Sequence, residues 1–319
     1  LLPELQSCSN VLTQLIKTTA NMPMLARTHG QSASPTTMGK ELCNFAERIC
    51  KASARLRQCT ITAKFNGAVG NFNAHKIAYP EVNWQLLSQQ MIEQCGLEEN
   101  RYTTQIEPHD DIAVLMQQVA NTNTILIDLC RDIWSYISMG YFQQTVQQGE
   151  VGSSTMPHKV NPIDFENAEG NLGLANALAL HLAAKLPISR LQRDLTDSTV
   201  MRNLGSVFGY CSIALQSLTK GLNKLIANPA AMLHDLDHSW EVLAEAIQTC
   251  LRAHGDKNAY DTLKNLTRGK KIDSDSIKEI INNSDLDKTT KARLAKLTPA
   301  SYVGDAINIT EQWLKTNRE

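Results

Sequence analysis

The chain has 319 residues, of which 42% are hydrophobic and 20% are charged. This composition is typical of folded globular proteins and excludes a disordered chain. The 31 Lys and Arg residues nearly balance the 32 Asp and Glu residues, and both signs are mixed along the sequence, which argues against a surface for nucleic acid or anionic lipid. No apolar run is long enough to span a membrane, so we expect neither nucleic acid nor a membrane as a partner.

Four stretches of the chain place apolar residues at helical spacing, at residues 38–56, 112–136, 163–182 and 200–225. The first contains Met38, Leu42, Phe45, Ile49, Ala52 and Leu56. Such repeats are close to the 3.5-residue period of helices that pack side by side at shallow angles. The alternation of a half-buried strand is nearly absent. We therefore predict an all-α fold, built as a bundle of long helices.

The pattern changes after Asn228 and Pro229 to shorter amphipathic segments joined by charged connectors. A change in helix length and connector composition is typical of a domain boundary. We predict a central helical-bundle domain in residues 1–227 and a smaller C-terminal helical domain in residues 228–319.

The eight cysteines include no C-x-x-C pair, and several occupy apolar helical positions. Cysteines of this kind are typical of reduced core residues in a cytoplasmic protein. The sequence also has no H-E-x-x-H motif, dinucleotide-binding glycine pattern or P-loop. We therefore expect a cytoplasmic protein that uses neither a metal nor a cofactor.

The most specific feature of the chain is the string GSSTMPHKVNP at residues 152–162. Its glycine and small hydroxyl residues have no apolar face to bury, which indicates a loop. Asn161 and Pro162 are typical of an N-cap and a first helical residue. The loop is therefore predicted to end at a helix N-terminus, where backbone N–H groups attract anions. Taken alone, a serine-rich loop is most often a solvated connector.

This string resembles the signature loop of the fumarase/aspartase superfamily, G-S-S-x-M-P-x-K-x-N-P followed by a glutamate, which is Glu166 here. The string RTHGQ at residues 27–31 resembles a second element of the superfamily. We expect it at the end of a helix, before a proline-containing turn. A lone histidine there would more often be structural, but the two elements together favour a catalytic histidine.

The flanking sequences narrow the resemblance. Residues 27–41 and 151–173, with GAVGN at 67–71, TTQIEPH at 103–109 and QRDLTDS at 192–198, resemble the bacterial adenylosuccinate lyase family. The resemblance covers essentially the whole chain. It implies a helical bundle of the fumarase/aspartase type and a β-elimination of fumarate from purine nucleotides, converting adenylosuccinate to AMP and SAICAR to AICAR. The expected small-molecule partner is thus a purine nucleotide, and the reaction needs no cofactor.

The resemblance also implies roles for individual residues. Ser153 is the expected base, His29 the acid that protonates the leaving nitrogen, and Glu166 the partner of that histidine. Lys159 is suited to stabilise the negatively charged intermediate. The expected substrate-binding residues are Thr28, Gln105, Ser154, Val160, Asn161, Asn167, Arg193, Ser198, Thr199, Val200, Met201 and Arg202.

The resemblance further implies an N-terminal domain, which we expect to be absent from this chain because Leu1 already lies within a predicted helix. It also implies a homotetramer whose active sites combine residues of three subunits. The helical repeats are longer than a single domain requires, which agrees with such an assembly.

Two other functions stay open. One is another fumarate-releasing lyase of the superfamily, such as an argininosuccinate lyase, and the other is a non-catalytic helical scaffold. The presence of Ser153, His29 and Lys159 argues against the scaffold.

Some side chains keep two interpretations. Guanidinium groups are natural phosphate ligands, but Arg193 and Arg202 can also be ordinary surface charges. His75, His109 and His158 can either line the site or cap loops.

Overall fold

The computed structural model describes residues 1–145, 156, 160–256, 258–259, 263 and 272–317. The first part of the chain forms helices α1 (Leu2–Thr19), α2 (Met38–Arg57), α3 (Asn73–Ala78), α4 (Trp84–Gln94) and α5 (Asp110–Ser138). The second part forms α6 (Ile163–Lys185), α7 (Thr196–Met201), α8 (Leu204–Asn223), α9 (Pro229–Asp237), α10 (Ala244–Ala253), α11 (Ser274–Asn283), α12 (Lys288–Leu294) and α13 (Ala306–Thr316). The predicted helical fold is confirmed. No helix in these ranges combines the length and apolarity that a membrane crossing requires.

The strands in the described part of the chain are short and form isolated pairs. Three pairs are antiparallel: β1 (Pro23–Met24) with β4 (Thr36–Thr37), β2 (Arg27–Thr28) with β3 (Gln31–Ser32), and β7 (Phe142–Gln144) with β8 (Leu225–Ala227). One pair is parallel, β5 (Thr62–Ala63) with β6 (Glu98–Glu99). These pairs tie loops together and do not form a separate sheet layer.

The chain divides into two compact units. Unit 1 consists of Leu1–Ser9, Glu47–Trp134 and Asn161–Asn223, and unit 2 consists of Asn10–Ala46, Ser135–Val160 and Lys224–Glu319. One division therefore falls after Asn223, close to the boundary predicted at residue 228, but unit 2 also includes two earlier segments. The domain assignment 1–227 and 228–319 stays a prediction.

The core of unit 1 includes the contact between α6 and α8. On α6 the predicted stripe of Ala168, Leu172, Ala175, Ala179 and Leu182 is buried. The stripe does not begin at Ile163, which is 48% exposed, because Phe165 takes the core position instead.

The fourth predicted helical stretch is not one helix. It is divided at Arg202 and Asn203, where α7 has ended and α8 has not begun, and the Asn203 N–H donates to the Val200 carbonyl at 3.0 Å. This bond closes a turn between the two helices, while the apolar spacing of the sequence continues from Val200 into α8. The buried stripe of α8 is Val207, Cys211, Leu215, Leu218 and Leu222.

Unit 2 has its own apolar core, formed by shorter helices as the sequence pattern indicated. Its buried side chains include Leu236, Leu243, Ile247, Leu251, Ile277, Ile281 and Leu294. Two of the helices begin with aspartate caps: Asp273 accepts from the Ser276 N–H, and Asp287 from the N–H groups of Thr289 and Thr290. Such caps satisfy N–H groups that have no partner within the helix.

Candidate active site

The hairpin formed by β2 and β3 carries the RTHGQ string. Arg27 pairs with Ser32 and Thr28 with Gln31, and the turn residues His29 and Gly30 both have positive φ, 53° and 74°. Two central residues with positive φ match the twist of a tight hairpin. The imidazole of His29 is thus at the tip of the hairpin, where Thr28 and His29 are both exposed.

The expectation that this string lies at a helix end was wrong. Helix α1 ends at Thr19, and β1 begins at Pro23 before the hairpin. Proline disfavours helical geometry in the residue before it and offers no N–H group. The chain therefore leaves the helix well before Arg27.

The base of the hairpin is anchored by a group of three hydrogen-bonded side chains, of which Tyr141 is buried. The Arg27 guanidinium and the Tyr141 hydroxyl both donate to Asp235 Oδ2, each at 2.8 Å. Burial raises the pKa of Tyr141 to about 12, and the hydrogen bond to Asp235 and its charge act in the same direction. Tyr141 and Asp235 belong to no sequence motif, so nothing in the sequence indicated them.

The signature loop is only partly described. Ser153, Ser154, His158 and Lys159 lie outside the described residues. Val160 is exposed and its carbonyl accepts a 3.5 Å hydrogen bond from Gln144, whereas Asn161 is half-buried. The roles expected for Ser153 and Lys159 therefore stay predictions.

Helix α6 begins one residue later than the sequence indicated. Pro162, not Asn161, is at the N-cap, with φ −79° and ψ 48°. The Pro162 carbonyl accepts hydrogen bonds from the N–H groups of Phe165 and Glu166, at 3.1 and 3.3 Å. Proline can take this place because a cap residue needs only its carbonyl for the first helical bonds.

Glu166 and Asn167 lie on the first turns of α6, and both are exposed. The Glu166 carboxylate accepts a 3.0 Å hydrogen bond from the Trp134 indole N–H on α5. Asn167 accepts two hydrogen bonds from the Asn171 side chain, at 2.9 and 3.2 Å. These contacts fix both side chains within unit 1. Because His29 belongs to unit 2, its pairing with Glu166 stays a prediction.

The structure brings the TTQ segment and the segment before α7 together. The Thr104 hydroxyl and the Gln105 N–H both donate to the Gln192 carbonyl, at 2.9 and 3.3 Å. Gln105 therefore lies beside the residue that precedes Arg193, and both Gln105 and Arg193 are exposed. Of the residues expected to bind substrate on or after α7, Thr199 and Arg202 are exposed, and Ser198, Val200 and Met201 are half-buried.

Asp194 organises the start of α7. Its carboxylate accepts hydrogen bonds from the Thr196 hydroxyl and N–H, at 2.5 and 2.9 Å, and these bonds lower the pKa of Asp194 to about 2. Arg190 donates to the same carboxylate at 2.9 Å. Asp194 stays ionised near neutral pH and holds the segment that carries Arg193.

Lys64 holds the TTQ segment from the other side. Its ammonium group donates to the carbonyls of Gly67, Thr104 and Gln105 at 2.8, 2.8 and 2.9 Å, and burial lowers its pKa. Gly70, at φ 85°, allows the loop to approach closely, because a Cβ there would lie 2.2 Å from the Thr103 carbonyl oxygen. Sequence reasoning singled out the glycines but missed Lys64.

A buried histidine, His109, ends the TTQIEPH string and lies beside α7. His109 is 8% exposed and lies between two carboxylates, with Nδ1 3.6 Å from Glu107 Oε2 and Nε2 3.7 Å from Asp197 Oδ2. His75, by contrast, contacts the rings of Phe65, Phe72 and Trp84. Both histidines therefore have partners in unit 1. Across the part of the chain that is described, no cluster of three or more His, Cys, Asp or Glu side chains could hold a metal ion.

The chain was compared with protein families and with solved structures. A family model described as Lyase matches residues 1–176, and one described as Adenylosuccinate lyase C-terminal matches residues 189–303. Two solved structures show the same fold: a 3-carboxy-cis,cis-muconate lactonizing enzyme from Pseudomonas putida (TM-score 0.79, 22% identity, 99% of this chain and 72% of that one) and a fumarate lyase from Mesorhizobium sp. BNC1 (TM-score 0.80, 20% identity, 98% and 72%).

Closer relatives are named adenylosuccinate lyase. The protein of Vibrio cholerae is 54% identical over 313 residues, which are 98% of this chain and 69% of the relative. That of Escherichia coli K12 is 55% identical over 292 residues, 92% of this chain and 64% of the relative. That of Haemophilus influenzae is 51% identical over 312 residues, 98% and 68%. The chain thus spans about two thirds of the length of these relatives.

The family models and the named relatives place the chain among the lyases of the fumarase/aspartase superfamily. Within that class, the chain belongs to the adenylosuccinate lyase family.

Proposed function

We propose that the full-length protein containing this chain eliminates fumarate from adenylosuccinate, giving AMP, and from SAICAR, giving AICAR. The observation that carries the proposal is the 54% identity over 313 residues to a relative named adenylosuccinate lyase. The described residues support it, because the His29 imidazole is exposed at a hairpin tip, and Gln105, Arg193 and Arg202 of unit 1 are exposed as well.

The elimination requires a base at carbon and an acid at nitrogen. In the proposal, the Ser153 oxygen takes the proton from carbon, and the electrons of that C–H bond form the C=C bond of fumarate. The electrons of the breaking C–N bond move to nitrogen, which takes a proton from His29. Imidazole is suited to this role since it exchanges protons near neutral pH.

Two further residues support these proton transfers. Lys159 would stabilise the charge that develops on the substrate carboxylate, where a fixed cation is most effective. Glu166 would orient His29 and balance its positive charge. Within unit 1, the Glu166 carboxylate is held by a 3.0 Å hydrogen bond from the Trp134 indole N–H.

Most of the residues proposed to bind the nucleotide belong to unit 1. Arg193 and Arg202 are the proposed phosphate ligands, since guanidinium offers several donors in a rigid plane. The amide of Gln105 can bind polar groups of the substrate. The remaining proposed contacts are Thr28, Ser154, Val160, Asn161, Asn167, Ser198, Thr199, Val200 and Met201.

The proposal includes a cytoplasmic homotetramer whose active sites combine residues of different subunits. It is supported by apolar side chains of unit 1 that the single chain leaves about half exposed: Trp134 on α5, Leu174 and Leu180 on α6, and Ile213 on α8, at 45%, 53%, 55% and 51%. Another subunit packed against these helices would cover such side chains. If light scattering gave the mass of a monomer while the helicity stayed intact, the result would contradict the assembly.

An absorbance assay of adenylosuccinate cleavage with the full-length protein tests the function. His29→Ala and Ser153→Ala should each lower kcat by roughly 10²–10⁴-fold, the usual contribution of acid–base groups, with unchanged circular dichroism. His234→Ala, an exposed histidine on α9, serves as the control. Near-normal rates in either catalytic variant would reject the assignment.

The choice of substrate separates the alternatives. Fumarate release from argininosuccinate, and not from adenylosuccinate, would indicate another lyase of the superfamily. Release from neither compound by a folded tetramer would indicate a non-catalytic scaffold.

A further inference from the structure

His109 is held in an unusual position by its neighbours. Its backbone lies at φ 67°, a conformation that few residues with side chains adopt, and its N–H donates to Glu107 Oε2 at 2.6 Å. Glu107 is fixed in turn, because its Oε1 accepts hydrogen bonds from the Thr62 hydroxyl and the Asn100 amide, both at 2.9 Å. The backbone of His109 is therefore held in place by Glu107, which is itself held by Thr62 and Asn100.

The imidazole faces a second carboxylate, that of Asp197 in the first turn of α7. Nε2 of His109 lies 3.7 Å from Asp197 Oδ2. Both residues are buried, and within the described chain neither Nε2 nor the other oxygen of Asp197 has a hydrogen-bond partner. A buried carboxylate is costly unless a neighbouring group compensates it, and the His109 imidazole is such a neighbour.

The imidazole lies between the two carboxylates, with Nδ1 on the side of Glu107 and Nε2 on the side of Asp197. The charged groups that face it are Glu107 from its own segment and Asp197 from α7. Asp110 and Asp111 follow on the first turn of α5 and are exposed or half-buried. The imidazole thus has a carboxylate of each segment beside it, so His109 connects the two segments.

The two segments joined by His109 carry the proposed substrate-binding residues. Gln105 lies four positions before His109, and Ser198 follows Asp197 directly. The same segments are also joined where Thr104 and Gln105 donate to the Gln192 carbonyl. One link therefore fixes the chain before Arg193, and the other fixes α7 itself.

We propose that His109 is a positioning residue for nucleotide binding, which holds α7 through Asp197 at a fixed distance from Gln105. This inference rests on the proposed function, since it assumes that α7 and Gln105 contact the substrate. His109 itself does not touch the substrate. Its loss should therefore weaken substrate binding more than it slows the chemical step.

The test compares His109→Asn and Asp197→Asn in the full-length protein. Asn tolerates positive φ but cannot reach both carboxylates, and Asp197→Asn removes only a charge. Each variant should raise KM for adenylosuccinate about tenfold or more while kcat changes less than about threefold, the pattern of lost binding. His109→Gln, which is longer than Asn, should restore part of the affinity. His234→Asn should behave as wild type.

The double variant shows whether His109 acts through Asp197. If it does, His109→Asn combined with Asp197→Asn should raise KM no further than the larger single effect. Additive effects would overturn the proposal. So would an unchanged KM, even with a lowered melting temperature, because a merely structural histidine gives that result. A loss of kcat with unchanged KM would make His109 catalytic and would also overturn it.

Binding of AMP by calorimetry separates this inference from the proposed function. Wild-type protein that binds AMP without cleaving adenylosuccinate would refute the proposed activity, and the variants' weaker AMP binding would still support the role of His109. If His109→Asn does not fold, Asp197→Asn alone decides the question, since an amide replaces the carboxylate without a change of shape. Equal AMP affinity in wild type and Asp197→Asn would reject the inference.

Discussion

The Arg27 guanidinium and the Asp235 carboxylate, 208 positions apart in the chain, are joined by a 2.8 Å hydrogen bond. Asp235 also accepts the hydroxyl of Tyr141, which has almost no exposed surface. Helix α9 therefore anchors the hairpin that carries His29, although it lies far from the hairpin in sequence. A residue of the C-terminal segment thus supports the proposed acid of the reaction.

Asp235→Ala should destabilise the protein by about 1–3 kcal/mol, because the buried Tyr141 hydroxyl and the Arg27 guanidinium both lose their acceptor. It should also lower kcat, because the hairpin beneath His29 loses its anchor. Asp235→Asn keeps an acceptor but no charge, so its stability and its kcat should lie between those of wild type and Asp235→Ala. Asp237→Ala on the same helix is the control, since Asp237 is exposed. Urea unfolding and the cleavage assay measure both effects, and an Asp235→Ala protein as stable and active as the control would contradict the anchor.

A second prediction concerns the contact between α6 and α8. A Cβ at Gly221 would lie 2.9 Å from Phe165 Cζ and 3.0 Å from Asp164 Cβ, and Phe165 is 1% exposed. Gly221→Ala should therefore destabilise unit 1 by about 1–3 kcal/mol, the usual cost of overpacking, although alanine favours helices. Gly209→Ala on the same helix has open space around it and should be neutral or stabilising by up to about 1 kcal/mol. Equal unfolding midpoints for the two variants would show that Phe165 yields without cost.

The sequence predicted the buried faces of the long helices, because their apolar residues recur at helical spacing. The stripe of α2 from Met38 to Leu56 is buried as expected, because each apolar side chain recurs on one face and the core has to cover that face. The hairpin around His29 was not predicted, since strands of two residues have no period to detect. The shift of the α6 cap from Asn161 to Pro162 is of the same kind, because cap preferences locate a helix start only to within a residue or so.

The side-chain contacts around the proposed site could not be predicted from the sequence for a different reason. Tyr141 and Asp235 are separated by 94 positions, and neither residue type is unusual where it stands. Asp197 and Glu107 lie inside strings that marked the family resemblance, so the sequence indicated their neighbourhood but not that both face His109. Long-range pairing of polar groups follows from the packing of helices, and a single sequence does not contain that information.

A third prediction is a pH dependence of stability at His254. Its Nδ1 contacts the Cys250 carbonyl and its Nε2 contacts Asp287 Oδ2, both at 2.8 Å. Only the doubly protonated ring donates to both acceptors, so these bonds, that to Cys250 first, raise the pKa of His254 above 6.5. The pKa of Asp287 is lowered below 3.8, first by the Thr290 hydroxyl and then by the Thr290 N–H and His254.

The pKa of His254 is raised and that of Asp287 is lowered, so the two groups contribute to stability over different pH ranges. The contribution of His254 is fully present below pH 6.5 and is lost as the pH rises through the raised pKa. That of Asp287 is present above pH 3.8 and is lost as the pH falls through the lowered pKa. The melting temperature of wild type should therefore exceed that of His254→Asn more at about pH 5 than at about pH 8.5. In an Asp287→Asn background, His254→Asn should lower the melting temperature with a weaker pH dependence, because only the contact to the Cys250 carbonyl remains. A wild-type advantage that grows with pH would refute the assignment.

Lys64 leads to the last prediction. Its ammonium group is the shared donor for the carbonyls of Gly67, Thr104 and Gln105. Lys64→Met keeps the length of the side chain but leaves three acceptors without that donor, so it should destabilise unit 1 by about 1–3 kcal/mol. It should also raise KM, because Gln105 loses its support. Lys76→Met, at an exposed lysine on α3, is the matched control.

Lys64→Arg should recover only part of the stability and of the substrate affinity, because a planar guanidinium cannot direct its donors as an ammonium does. Full recovery by arginine, measured by urea unfolding and by KM, would mean that positive charge alone holds the TTQ segment and that the three directed hydrogen bonds do not.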